Sequence, residues 1–496
     1  MPSTTARNAL PEHGAGAASL ARAPARGWLG PLFPLAPRSA WHPALVACGY
    51  GFGFVLLSAL ALLRQAGIPA IQTFWAEDGV IFYSQALAHP FWSTLVTSYN
   101  GYDQLGPRLT VGLARLAPVR DASTVVALTG ACGLALLGCL VFHMARGHIP
   151  SPGLRVLLVA AMVLLPLATV EMLDNLVNLP WWMFFAAFWA LLWRPRARAG
   201  LFAAAALCAL AAASEPLVGL LLPLAAVRAV ALRRPSEQVA GAALLAGLAF
   251  QVGVVFSSNG QHSFRSAGLA DVAPAFGARV GLGWLTGLRA TDAVVSSNRT
   301  LAEVLGAAVF VVIVAAGLSF GSRGTRAFTV VAAVLAPVCF VVPVWLRGVG
   351  PLMQTARSVG YAGRYAATPI LMVISALLVL AWHLSTRPAQ REGRGVVPGR
   401  ALGALAVCCA LLIPAWVADF RGTNGRAGGP TWQSQLSLAV ARCRGERPRT
   451  LAVLAIDPPG ARVVVHCRTI DPVAKPVVQD GRPLSASPAI RTEARS

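Results

Sequence analysis

Long runs of apolar residues, separated by short polar stretches, recur along the chain. Runs of this length match the hydrocarbon thickness of a bilayer, so they predict an all-α polytopic membrane protein with about 11 spanning helices, within a range of roughly 10–12. The predicted spans are 43–63, 124–144, 154–170, 179–193, 200–213, 217–232, 239–256, 301–320, 328–346, 366–384 and 401–418.

One further stretch, 272–288, is apolar enough to be an additional span. Arg279 lies at its centre, and a guanidinium in the lipid core is costly. We therefore expect an interfacial or re-entrant helix here. The choice matters, because an additional span would reverse the side of every later loop.

Composition excludes a soluble protein. Hydrophobic residues make up 56% of the 496-residue chain and charged residues only 12%, with a mean hydropathy of +0.63. Soluble domains carry about 25% charged residues. The net charge of +22 comes from basic residues dispersed between apolar runs, so we expect the lipid bilayer as partner and no nucleic acid. Lys475 is the only Lys, which excludes a P-loop, and we expect no nucleotide cofactor.

Charge also orients the chain. Residues 1–42 are rich in Ala, Pro, Gly and Arg, and predict a disordered basic tail on the cytoplasmic side. Short connections on that side are richer in Arg than the longer outer loops, as the positive-inside rule requires. The predicted transmembrane domain, 43–420, then leaves the C-terminus extracytoplasmic. Arg- and Ala-rich usage is typical of GC-rich bacterial genomes, so we expect a multi-pass protein of the bacterial cytoplasmic (inner) membrane.

Residues 421–470 predict a small extracytoplasmic α+β unit. Its predicted elements are one helix and two strands, at 432–443, 450–456 and 463–466. A unit of this size needs additional stabilisation, such as a disulfide bond. Cys443 and Cys467 could form a disulfide in an oxidising compartment, or they could be two free thiols. The Pro-rich tail 471–496 predicts disorder.

The first outer loop, 64–121, contains two adjacent carboxylates, Glu77 and Asp78. Short interfacial helices are predicted at 80–88 and 105–116. Trp75 keeps the acidic pair close to the bilayer. Low dielectric and a neighbouring like charge raise a carboxyl pKa, so the pair could act as a general base or bind a divalent cation, Mg²⁺ or Mn²⁺. The alternative is that both are solvated loop residues.

Other candidate residues lie in the remaining outer segments. Glu171 and Asp174 are spaced to share one face of a helical turn, and are second candidates for a metal site. Arg can bind a phosphate bidentately, and aromatic rings can stack on sugars. The candidate substrate contacts are Arg364, Arg108, Tyr102, Tyr365, Trp75 and Asn178. Interfacial aromatic belts and snorkelling guanidiniums explain most of these residues about as well.

Two resemblances follow from these residues. The segments Trp75–Gly79, Gly101-Tyr102 with Pro107-Arg108, and Gly363–Tyr365 resemble an uncharacterised group of bacterial membrane proteins that share a W-A-E-D-G loop. The architecture, an acidic pair in a long first outer loop, resembles the GT-C superfamily of membrane glycosyltransferases.

The GT-C resemblance implies a polyprenyl-phosphate sugar donor, and a glycan, lipid or protein acceptor of the cell envelope at the outer leaflet. It implies Asp78 as the general base or metal-bound activator, with Glu77 assisting and often a divalent metal ion. The alternatives are a lipid or glycolipid flippase or transporter, and a non-catalytic membrane protein of envelope assembly. The predicted spans contain few ionisable residues, which disfavours proton-coupled transport.

Overall fold

The computed structural model describes residues 29–37, 42–257, 268–349, 358–391, 398–422, 424–444, 446–447 and 450–470. In these segments the chain is mostly helical, with one two-stranded antiparallel sheet. Eight helices of the described chain are long and apolar enough to cross a membrane. The fold is that of an all-α polytopic membrane protein, as predicted.

The α-helices, in chain order, are α1 (Pro43–Leu63), α2 (Ser84–Ala88), α3 (Phe91–Thr94), α4 (Leu105–Leu116), α5 (Ala122–Met144), α6 (Pro152–Leu164), α7 (Leu179–Leu192), α8 (Arg198–Ser214), α9 (Leu222–Ala231), α10 (Pro235–Ser257), α11 (Leu269–Phe276), α12 (Gly283–Thr286), α13 (Leu288–Phe320), α14 (Arg323–Leu346), α15 (Arg364–Arg391), α16 (Pro398–Ala418), α17 (Trp432–Cys443) and α18 (Cys467–Ile470). The strands are β1 (Leu451–Ala455) and β2 (Arg462–His466). Short 3₁₀ segments lie at Gly30–Leu32, Ala70–Gln72, Val119–Asp121, Ala145–Gly147, Pro166–Thr169 and Pro216–Leu221, and π-helical turns at Asp78–Tyr83 and Gly277–Leu282.

Every predicted span overlaps a helix, but three of these helices are short. They are α7, α8 and the stretch Pro216–Ala231, each of 10–17 residues. The 14 residues of α7 extend for about 21 Å, less than the roughly 30 Å of a hydrocarbon core. All of them are buried, so α7 is the centre of the protein interior. The structure therefore supports a multi-pass fold, and the number 11 stays a prediction.

The stretch 272–288, which could have been an additional span, is a broken helix packed inside the protein. It comprises α11, a π-helical turn and α12, and it lies against α13 with glycines at the closest approach. Arg279 is 2% exposed and donates to the backbone oxygens of Val359, at 2.6 Å, and Tyr361. Backbone carbonyls thus satisfy the guanidinium that made a lipid-exposed span unfavourable.

Part of the predicted disordered tail is ordered. Residues 29–37 lie against the end of the bundle that carries the turns 145–151 and 193–197, which we call the turn face. Leu32 and Phe33 are each 1% exposed, and Arg196 donates to the carbonyl of Ala36. The prediction of disorder is wrong for this segment. Residues 1–28, 38–41 and 471–496 lie outside the described residues.

The opposite end of the bundle, which we call the loop face, contains three segments: 64–121, 165–178 and 419–470. The C-terminal segment has the predicted helix and strands, and Cys443 and Cys467 form a disulfide. It shares one hydrophobic core with the first loop. Trp432 donates its indole N–H to Val119 at 2.7 Å, and its ring lies 4.7 Å from that of Phe74. The small unit therefore completes the core of the first loop.

Close packing at Gly306 gives a test of the broken helix. A Cβ there would lie 1.8 Å from the carbonyl oxygen of Gly277, so Gly306→Ala should lower the melting temperature by several degrees. Gly253 in α10 is the control, since a Cβ there meets nothing within 4 Å. Equal melting temperatures for Gly306→Ala and Gly253→Ala would contradict this packing.

Candidate functional site

The two adjacent acids of the first loop point to different environments. Ala76, just before them, has a positive φ of 36°, and its N–H donates to the carbonyl of Asp457 at 2.5 Å. Successive residues in a helical turn do not face the same way. Glu77 is partly exposed at the loop face, whereas Asp78 is 0% exposed.

Asp78 is a buried structural anchor. Its two carboxylate oxygens accept the backbone N–H groups of Leu176, at 2.7 Å, and Val177, at 2.8 Å. Burial raises the pKa of Asp78 to about 7, and the two backbone donors act in the opposite direction. A group with both oxygens occupied and no exposed surface is poorly placed to take a proton from a substrate. The catalytic role predicted for Asp78 does not fit this position.

Asp174 is also internal. It is 3% exposed with a positive φ of 54°, and burial raises its pKa to about 6. The guanidiniums of Arg64 and Arg426 are its charged neighbours. Arg426 donates to the carbonyls of Leu173, at 2.5 Å, and Asp174, at 3.3 Å. Asp174 is thus packed within the loop 165–178 and does not line an open site.

The four predicted metal ligands do not form one site. Within the described residues, no group of three or more His, Cys, Asp or Glu side chains is placed to hold a metal ion. Asp78 already accepts two backbone donors, and Glu171 pairs with Arg364. The donor set therefore does not fit a shared Mg²⁺ or Mn²⁺ bound by Glu77, Asp78, Glu171 and Asp174.

Glu171 and Arg364 form an ion pair across the loop face. Arg364 Nη1 lies 3.1 Å from Glu171 Oε2, and the Arg364 backbone N–H donates to Glu171 Oε1 at 3.3 Å. The side chain of Arg364 is 36% exposed, so this arginine can be reached from the loop face. The charge of Glu77 also acts on Arg364.

The hydroxyl of Tyr99 holds Glu77 in place. It donates to Glu77 Oε1 at 3.2 Å. Burial, followed by the charge of Glu77, raises the pKa of Tyr99 above its usual value, so this hydroxyl stays a donor. Glu77 is therefore an oriented carboxylate within electrostatic reach of Arg364, and no ion pair between the two is found in the described chain.

A second guanidinium, that of Arg347, acts on the same buried carboxylate as Arg364, that of Glu215. Arg347 Cζ is 5.2 Å from the centre of the Tyr102 ring, and Arg364 Cζ is 5.2 Å from that of Tyr365. Glu215 is 3% exposed, and burial raises its pKa to about 7 against the charges of Arg347 and Arg364. We call the whole set the Arg364 cluster: Glu77, Tyr99, Tyr102, Glu171, Glu215, Arg347, Arg364 and Tyr365.

Three members of this cluster were not selected from the sequence as site residues. Glu215 stands in a short turn between two apolar runs, and Tyr99 and Arg347 lie in outer segments with many similar residues. The sequence signal that could have identified Glu215 as a site residue is a carboxylate in a very short turn between two apolar runs. The contacts that define the roles of Tyr99 and Arg347 are long-range.

Two predicted substrate contacts are buried in the loops. Arg108 is 1% exposed, pairs with Asp103 at 3.1 Å, and donates to Gln85 Oε1 at 2.8 Å. Asn178 is 1% exposed and donates to the carbonyl of Glu171 at 2.8 Å. The predicted substrate-binding roles of Arg108 and Asn178 therefore do not fit the structure.

Trp75 is partly buried against the C-terminal segment. It forms a bridge with Asp457, and its ring lies where a Cβ on Gly425 would be. With Glu171 and Arg426 it lines a polar cavity of about 10 Å³, room for roughly one water molecule. Trp75 thus packs between the C-terminal segment and the small cavity that Glu171 also lines.

No known protein-family model matches this chain, and no curated protein or solved structure is detectably similar to it. The functional argument therefore depends on the geometry of the Arg364 cluster.

Substituting Asp78 and Glu77 one at a time should show which of the two acids stabilises the fold. Asn offers one acceptor where Asp78 offers two, so Asp78→Asn leaves one buried N–H unpaired, at a cost of about 1–3 kcal/mol. We expect a lower melting temperature and faster proteolysis of the loop face. Glu77→Gln keeps an acceptor for Tyr99 and should stay within about 0.5 kcal/mol of wild type. Equal stability of the two variants would contradict the anchoring role of Asp78.

Proposed function

We propose that the protein is a membrane glycosyltransferase that moves a sugar from a polyprenyl-phosphate donor to an envelope glycan, lipid or protein. The observations that carry this proposal are a carboxylate oriented by Tyr99, that of Glu77, and a partly exposed arginine, Arg364, on which the charge of Glu77 acts. A base next to a phosphate-binding cation is what transfer from a phosphate-linked sugar requires.

Glu77 is the general base in this proposal. It takes the proton of the acceptor hydroxyl as that oxygen attacks the anomeric carbon, while the bond from the sugar to the phosphate breaks and its electron pair stays on the phosphate. Polyprenyl phosphate is the leaving group. The displacement is direct, so the configuration at the anomeric carbon inverts.

The guanidiniums stabilise the leaving phosphate. Arg364 binds it bidentately after exchanging one contact with Glu171, and Arg347 adds a second positive charge. Tyr102 and Tyr365 lie under these guanidiniums and support them. Tyr365 is 5% exposed and packs against Trp181, so the substrate contact predicted for it does not fit, and Tyr102 is the remaining aromatic candidate.

The transport alternative has less support from the packing. The central helix α7 is buried along its length among apolar side chains, including Trp182, Phe185 and Trp189. A flippase or transporter needs a polar path that opens between its helices. A non-catalytic role in envelope assembly gives no reason for an oriented carboxylate within electrostatic reach of a partly exposed arginine.

The direct test is turnover in lipid. Wild type, Glu77→Gln and Glu446→Gln would each be given a panel of polyprenyl-phosphate sugars, and transfer would be followed by mass spectrometry. We expect turnover in wild type and in Glu446→Gln, which changes an exposed acid elsewhere, and a loss of about 10²–10⁴-fold in Glu77→Gln. Turnover retained in Glu77→Gln would remove it from the mechanism. An absence of both turnover and donor binding in wild type would favour the flippase or assembly alternatives.

The phosphate contacts predict a different kinetic effect. Arg347→Gln and Arg364→Gln should each lower kcat/KM for the donor by about tenfold or more, because a charge-assisted hydrogen bond contributes about 1.5–3 kcal/mol. Arg115→Gln is the control, since Arg115 is exposed on α4 and donates only to His89 within the described chain. Unchanged donor kinetics in both cluster variants would place the phosphate elsewhere.

A further inference from the structure

A second group of cations lies at the turn face, far from the Arg364 cluster along the helices. It consists of Arg146 and Arg155 with Tyr50 and His143, where α1, α5 and α6 meet. Because α5 runs from the loop face at Ala122 to the turn face at Met144, the two sites lie at opposite ends of the bundle.

The two guanidiniums have no acidic partner among the described residues. None of the ion pairs found there includes Arg146 or Arg155. The charged group that acts on Arg155 is a second cation, Arg146. Arg155 is 7% exposed, and its Nε has no hydrogen-bond partner within the described chain. Two partly desolvated cations that act on one another, with no acidic partner in the described chain, favour a bound anion.

The hydrogen-bond directions leave another donor free. Arg146 Nη2 lies 2.8 Å from His143 Nε2, and a guanidinium can only donate, so Nε2 must accept. The neutral ring then carries its proton on Nδ1 and donates to the Tyr50 oxygen at 2.9 Å. The hydroxyl hydrogen of Tyr50 is therefore not used by His143, and it can donate to a ligand.

The surroundings identify the source of the anion. Only 6% of the apolar window of α1 is buried within the protein, and α1 has exposed Phe52 and Val55 close to Tyr50 in sequence. Arg146 lies in the short turn that directly follows α5, and Arg155 lies in the first turn of α6, so both guanidiniums lie where these helices meet the surface of the bilayer. A phosphate held here would have its acyl chains along α1.

We propose that the turn face binds the phosphate of an anionic membrane phospholipid between Arg146 and Arg155, with Tyr50 as a third donor. Basic pockets between membrane helices are suited to such headgroups. The existing contacts of Arg155 with the carbonyl of Phe142, at 3.0 Å, and of Arg146 with that of His143, at 3.1 Å, hold both guanidiniums at the C-terminal end of α5. They occupy only part of the donors that each guanidinium offers.

Native mass spectrometry of the full chain, titrated with phosphatidylglycerol or phosphatidylcholine, tests this site. We expect wild type to retain phosphatidylglycerol in preference to phosphatidylcholine, Arg146→Gln to bind it about tenfold or more weakly, and Tyr50→Phe to bind it several-fold more weakly. Tyr50→Phe keeps the ring that packs against Phe142, and Arg146 lies on a partly exposed turn, so both variants should fold. Arg198→Gln, an exposed arginine at the same face, is the matched control.

Equal phosphatidylglycerol binding in wild type, Arg146→Gln and Tyr50→Phe would overturn the proposal. A loss of the same size in Arg198→Gln would also overturn it, because the effect would then reflect overall charge. Inorganic phosphate is the probe for a soluble ligand. If millimolar phosphate binds to wild type and phosphatidylglycerol does not, the lipid is not the ligand.

Discussion

The loop face depends on one buried carboxylate and the two consecutive amides that it binds. Burying the ionised Asp78 is costly, and the N–H groups of Leu176 and Val177, together with the charge of Arg426, offset that cost. These contacts join residues nearly 100 positions apart in the chain. They fix the loop 165–178, which contains Glu171, against the first loop, which contains Glu77.

Buried arginines extend this arrangement to the C-terminal segment. Between α6 and α7 the chain includes non-helical backbone, whose carbonyls need donors once they are buried. Arg64 donates to the carbonyls of Val163, Leu165 and Asp419, and Arg426 donates to that of Leu173. The same guanidiniums neutralise Asp174. The guanidiniums thus satisfy the buried carbonyls by hydrogen bonds, and they offset the charge of Asp174, whose two carboxylate oxygens accept no hydrogen bond within the described chain.

Local pattern predicts the helices well and the site only in part. A run of apolar residues is itself a local signal, so the spans and the C-terminal helix and strands could be located from the sequence. Residues 29–37 have no periodicity, and Leu32 and Phe33 are buried only through contacts with distant helices, so their order was missed. The acidic pair could be found, but the partners that separate Asp78 from Glu77 are not local. Arg108 and Arg364 look alike in sequence, and only Asp103 and Glu171 distinguish them.

The pairing of Arg364 with Glu171 has a consequence for the proposed reaction. Without a donor, the ion pair neutralises the guanidinium and reduces its attraction for other anions. A donor phosphate must compete with Glu171, so binding releases that carboxylate. The charge of Glu77 also acts on Arg364, so the donor phosphate would enter the field of the proposed base. Donor binding and activation of the acceptor would then be linked through one arginine, and this linkage requires the geometry that Asp78 holds in place.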